Sequence, residues 1–156
     1  MKKISEHISY KEATHSNTAK QLGLDNKPKA DHLKNMEMLA EKVFEPLRKW
    51  VGKPIKVNSF YRSKELNARL NGASITSAHL KGQAIDITNL GGKTNSEMLN
   101  YIIKNLDFDQ VISEYPIDGE PQWIHVSYIS KKANRKQALE IKRKGRYYTY
   151  TGCKSC

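Results

Sequence analysis

Asp109-Gln110-Val111-Ile112-Ser113-Glu114-Tyr115 and Gln122-Trp123-Ile124-His125-Val126-Ser127-Tyr128 flank Pro116-Ile117-Asp118-Gly119-Glu120-Pro121. The outer runs are rich in β-branched and aromatic residues, and the centre is dense in turn formers around Asp-Gly. The stretch therefore predicts a β-hairpin. Upstream, Ile85, Asp86 and Ile87 alternate within Gln83–Thr88 and predict a further strand. Thr94 or Asn95 caps a helix carrying Met98, Leu99, Ile102 and Ile103. Ile55 to Phe60 alternates apolar and polar residues and predicts another strand, after which Ser63 caps a short helix stopped at Asn71-Gly72.

From Asp31 to Trp50 the apolar residues Leu33, Met36, Leu39, Ala40, Val43, Phe44, Leu47 and Trp50 recur at three- and four-residue steps. That is an amphipathic helix with one buried face, and Pro46 is expected to kink it or tighten its last turn. Ser9 and Glu12 fit a capping box, and the short helical region behind them stops near Gly23. Ala138–Lys142 and Arg146–Tyr150 around Gly145 suggest a second hairpin on the sheet edge. Helices come first and strands later. The expectation is an α+β domain over residues 1–150, a small mixed and mostly antiparallel sheet with helices on one side, and a tail at 151–156.

Twenty-seven Lys and Arg against sixteen Asp and Glu give a net charge of +11, which favours an anionic partner. Nucleic acid is not expected, because no helix-turn-helix or zinc-finger spacing occurs and the basic residues do not alternate with an aromatic platform. Lys131, Lys132, Arg135, Lys136, Lys142, Arg143, Lys144 and Arg146 concentrate charge near the end, as a solvated surface or for adhesion to anionic envelope polymers. No apolar run approaches the ~18 residues of a membrane span. Met1-Lys2-Lys3-Ile4-Ser5-Glu6-His7 has no apolar segment behind it, so synthesis in the cytoplasm without a signal peptide is expected. The single Cys153-Lys154-Ser155-Cys156 element is weak evidence for metal or redox chemistry and is expected to be a disordered tail.

Two stretches carry chemistry. Ser77-Ala78-His79-Leu80-Lys81-Gly82-Gln83-Ala84-Ile85-Asp86 sets His79 in a loop and Asp86 on a strand, facing away from the core side of Ile85 and Ile87. Gln122-Trp123-Ile124-His125 puts a second imidazole on the hairpin. Two imidazoles and one carboxylate make a three-ligand set with an open fourth position, the pattern of catalytic zinc. Arg62, in Ser59-Phe60-Tyr61-Arg62-Ser63, leaves a strand-to-helix turn where it can clamp a carboxylate through two parallel hydrogen bonds. His7, His15 and His32 fall outside this pattern.

The run Ser77-x-His79-x-x-Gly82-x-Ala84-x-Asp86, followed by Trp123-x-His125, resembles the zinc peptidases of the D-alanyl-D-alanine carboxypeptidase family, peptidase family M15. The small single-domain forms common in phages and prophages are the most similar, and the likeness runs from about Ile4 to about Lys144. It implies His79, Asp86 and His125 as zinc ligands. Arg62, Ser77 and Trp123 would contact substrate, Arg62 also polarising the scissile carbonyl, and Gly82 would allow close chain approach.

The resemblance also implies a carboxylate base three residues before the last zinc ligand, where this chain has Gln122. Glu114 is the first candidate in its place and Glu120, in the turn, the second; absence of any carboxylate base is the third possibility. Glu114 alternates in step with Gln110 and Ile112, and a hairpin about Asp118-Gly119 puts it opposite Trp123 and diagonal to His125. The implied function is a monomeric zinc peptidase cutting peptidoglycan stem peptides at the wall or periplasm after membrane permeabilisation. The cut is either at the terminal D-Ala or internal, and an internal cut suits a lysis enzyme. Gln122 also motivates a catalytically silent zinc-binding wall protein as the alternative.

Overall fold

The computed structural model describes residues 2–70 and 73–152. Asn71-Gly72 and the Cys153/Cys156 pair lie outside these residues. The chain opens with a small antiparallel pair, β1 (Lys3–Ser5) and β2 (Ile8–Ser9), too short to be read from the sequence pattern. Ser9 then caps α1 (Tyr10–Ala13) by accepting from the Glu12 amide. The reciprocal bond from Glu12 is absent among the described residues, so the expected box is half made. Ser16 starts α2 (Asn17–Leu22) anew, and Gly23 ends it in the left-handed conformation, φ 65°.

The long amphipathic helix forms as three consecutive pieces. These are α3 (Ala30–Leu39), a π-helical turn at Ala40–Phe44, and α4 (Glu45–Val51). Pro46 thus acts differently from expectation: the helix widens instead of kinking or tightening. A proline ring clashes with the carbonyl four residues back and cannot donate to it. The turn before Pro46 opens so that the Glu45 amide bonds the Ala40 carbonyl, five residues away. Met36, Leu39, Ala40, Val43, Phe44 and Leu47 stay buried through all three pieces. Each large apolar side chain on that face contributes about 1.5–3 kcal/mol by leaving water.

That face packs on a six-stranded sheet. Its strands are β3 (Ile55–Ser59), β4 (Ala84–Asn89), β5 (Gln110–Glu114), β6 (Trp123–Ser127), β7 (Gln137–Arg143) and β8 (Arg146–Thr149), in the order β3-β4-β6-β5-β7-β8. All neighbours are antiparallel except β5 and β7, which run parallel. The fold is α+β. The β5–β6 hairpin turns at Asp118 (φ 52°) and Gly119 (φ 81°), both left-handed as a two-residue primed turn requires. Between the strands lie α5 (Lys64–Arg69), capped by Ser63, and α6 (Asn95–Asn105), which starts with a complete Thr94/Glu97 capping box. Ile85, Ile87, Val111, Ile124 and Val126 point into the core, which frees the alternate residues for the other sheet face. No described helix is long and apolar enough to cross a membrane.

Candidate active site

Pairing register assembles the site. Asp86 on β4 is directly opposite His125 on β6, and His125 is opposite Ile112 on β5. The next row on the same face pairs Trp123 with Glu114, Glu114 with Ile141 and Ile141 with Tyr147. Ser77 caps a single 3₁₀ turn, Ala78–Lys81, so His79 sits in that turn and not in an irregular loop. Gly82 (φ 71°) follows, and a Cβ there would come within 2.6 Å of the His32 carbonyl oxygen. Only glycine lets the turn approach α3 so closely, and that approach sets His79 over the sheet.

The potential ligand atoms of His79, Asp86 and His125 all lie within 4.8 Å of one another. His79 Nδ1 is 2.7 Å from the Phe60 carbonyl oxygen. A carbonyl only accepts, so Nδ1 carries the proton and Nε2 presents its lone pair. That Nε2 is buried, 3.3 Å from Asp86 Oδ2, and has no hydrogen-bond partner. Asp86 Oδ1 lies 3.0 Å from His125 Nδ1. A buried acceptor aimed at a carboxylate, with a second imidazole beside it, is a donor set that fits a divalent cation.

These residues line a cleft of about 780 Å³ together with Arg62, Ser77, Glu114 and Trp123. Burial raises the Glu114 carboxyl to about 7, further supported by Asp86 and opposed by His125 and Arg62. Burial would also raise Asp86, but the two imidazoles outweigh it and hold that carboxyl well below the usual range. Burial lowers His79. It works the same way on His125, where the Asp86 carboxylate prevails and raises the imidazole. Arg62 donates from Nη2 to Ser77 Oγ at 3.2 Å, while its buried Nε has no partner. Arg62 thus lines the cleft with a single side-chain hydrogen bond made among the described residues.

Two residues of the sequence reading stand elsewhere. Glu120 accepts from the Ser96 amide (3.1 Å) and hydroxyl (2.5 Å), tying the hairpin turn to the start of α6. Gln122 donates from Nε2 to the Tyr115 carbonyl at 2.9 Å and does not line the cleft. Cleft residues the sequence reading missed are Tyr115, Ile141, Tyr147 and the Asp109–Arg135 pair. Asp109 is 2% exposed and takes Arg135 Nε at 2.9 Å and Nη2 at 2.7 Å. Arg135 is therefore tied to a fold contact through its guanidinium, while its side chain stays 57% exposed. A left-handed backbone at Tyr115 (φ 45°), directly after Glu114, has no sequence signal, because it is a tyrosine and not a glycine.

A second group, the exposed Glu6 and His7 with the half-buried Glu45, is already engaged. Glu45 accepts from Ser5 Oγ (2.6 Å), the His7 amide (2.9 Å) and His7 Nδ1 (2.7 Å), bracing β1–β2 against α4. His15 pairs with Asn17 and His32 packs on Tyr61, both outside the cleft.

No curated protein matches the chain. A family model described as Peptidase M15 matches residues 6–127, a span that contains Arg62, Ser77, His79, Asp86, Glu114, Trp123 and His125. The chain belongs to peptidase family M15.

Proposed function

We propose that the protein is a zinc-dependent peptidase that hydrolyses peptidoglycan stem peptides, with His79, Asp86 and His125 holding the metal and Glu114 as general base. The observation that carries this reading is the juxtaposition of a three-donor set with a carboxyl raised to about 7 on the same sheet face. Zinc so held supplies Lewis acidity, which polarises a carbonyl and makes water acidic enough to attack at neutral pH.

The chain's own groups do the rest. Glu114 takes the proton of the attacking water and returns it to the departing amine, a task suited to a carboxyl poised near neutrality. Arg62, which lines the cleft and whose side chain bonds Ser77, faces the developing oxyanion or a substrate carboxylate. Ser77 fixes Arg62 through its hydroxyl. Trp123, tilted 51° to the Tyr115 ring at 5.4 Å between ring centres, gives the peptide an apolar wall. An internal cut is favoured over trimming of a terminal D-Ala, because only the former opens a cross-linked mesh.

The silent-binder alternative rested on Gln122. The residue turns away to Tyr115, and Glu114 stands in the cleft in its place, which favours the enzyme. The proposal extends to a monomer made in the cytoplasm and acting at the wall, with the exposed basic residues near the end resting on anionic envelope polymers. Hydrolysis of a synthetic stem peptide with added zinc, abolished by a chelator, tests the reading; a chelator-insensitive cut contradicts it.

A further inference from the structure

The family match ends at residue 127, yet the cleft is completed by residues beyond it: Leu139, Ile141, Lys144, Gly145 and Tyr147 of the β7–β8 hairpin. Strand order fixes what this adds. Arg62 follows β3 at one end of the sheet, and the hairpin forms the other end, with Asp86, His125 and Glu114 between.

The cleft's other charges already have a place in the site. Asp86 stands between the two imidazoles, Asp109 is neutralised by Arg135, Glu114 sits in the row next to His125, and Arg62 is held by Ser77 at the opposite side. Lys144 lines the cleft at the two-residue turn between Arg143 and Arg146, and among the described residues no carboxylate lies within ion-pair distance of it. Its neighbour Lys142, by contrast, is paired to Glu140 at 3.6 Å and does not line the cleft. Tyr147, 55% exposed in the same row as Glu114, adds an apolar ring to the same cleft wall.

We propose that Lys144 forms a specificity subsite that binds a free carboxylate of the substrate peptide, on the side of the cleft opposite Arg62. This rests on the peptidase reading above. The hairpin turn is two to three strand spacings of ~4.8 Å across from β6, and Lys144 lies further along than Leu139, the β7 residue in register with Ile112 and His125, so its backbone stands on the order of 20 Å from His125 along the sheet. An extended peptide covers that in roughly six residues at ~3.3 Å each, fewer by the reach of the lysine side chain. The carboxylate recognised is thus remote from the bond that breaks, and stem peptides carry free carboxylates along their length.

The test uses zinc-loaded protein and stem peptides in which each free carboxylate is amidated in turn, with kcat/KM and calorimetric binding both recorded. Lys144→Met and Lys144→Glu are compared with Lys132→Met, an equal charge loss outside the cleft. One amidation should weaken both readouts roughly fivefold for the wild type and Lys132→Met, the scale of a partly solvated ion pair. Lys144→Met should not distinguish acid from amide, and Lys144→Glu should prefer the amide. Equal handling of acid and amide by the wild type, or unchanged discrimination in Lys144→Met, overturns the subsite. Lys144-dependent discrimination in binding without cleavage of any peptide would instead keep the subsite and sink the peptidase reading.

Discussion

His79 Nε2 and Asp86 Oδ2 face each other at 3.3 Å with no hydrogen between them, because the Phe60 carbonyl 2.7 Å from Nδ1 holds the His79 proton on the other side of the ring. Such an arrangement is costly in a buried place unless a cation sits between the two lone pairs. The fold thus turns these two lone pairs toward each other by means of a backbone carbonyl at the end of one strand, a 3₁₀ turn and a strand carboxylate.

Replacing His125 by Ala removes one of three protein donors. Bound zinc, measured by elemental analysis after dialysis, should fall sharply while the far-ultraviolet circular dichroism stays native. Full zinc retention in this variant would remove His125 from the ligand set.

Glu114→Gln keeps the shape and discards the base. Zinc content should be unchanged and kcat should drop by about 10²–10⁴-fold. Wild-type turnover in this variant would reject Glu114 as base. In the wild type the rising limb of kcat/KM against pH should lie at or below about 7, the value burial sets for this carboxyl. A bound dication can only move that limb downward, and Glu114→Gln should abolish it.

The same carboxyl makes a stability prediction for the metal-free protein. Its value of about 7 in the fold exceeds the ordinary 4.5, so between these the folded state holds a proton that the unfolded chain has lost. The associated stability is fully present below 4.5 and is lost as pH rises through about 7. Urea melts at pH 5 and pH 8 should therefore show a larger loss in wild type than in Glu114→Gln, by on the order of 2 kcal/mol. An equal loss in both proteins would contradict the burial argument.

Asp109 and Arg135 test the fold behind the cleft. Arg135→Ala leaves a buried carboxylate without its fork, which should cost about 3 kcal/mol in chemical denaturation. Hydrogen bonds from charged partners hold Asp109 low, ahead of the opposing effect of burial, so that stability belongs to neutral pH and fades as acid protonates the group. The variant's deficit should accordingly shrink toward pH 3; a deficit independent of pH would assign the loss to packing instead.

Much of this site could be read from the chain alone, for identifiable reasons. Alternation around Ile85 and Ile87 put Asp86 on the outer face, and the Asp118-Gly119 turn fixed the register that sets Glu114 opposite Trp123. Both are local rules with a period of two. The π turn before Pro46 was not legible, because proline can be accommodated by kinking, tightening or widening, and the packing of α3 and α4 on the sheet selects one. The parallel pairing of β5 with β7 was also hidden: the sequence shows the β7–β8 hairpin but not the edge it joins. Lys144 therefore reads as one of a basic run, solvated or adhesive, and Tyr147 as a residue of an edge hairpin, and the sheet brings both to the cleft.

The most direct test of the central claim is mass spectrometry of fragments released from purified sacculi by the zinc-loaded protein, run beside chelated protein and the His125→Ala variant. The account predicts new peptide termini with zinc that vanish in both controls, and those termini identify the bond. Intact stem peptides from several wall types, with zinc demonstrably bound, would contradict it.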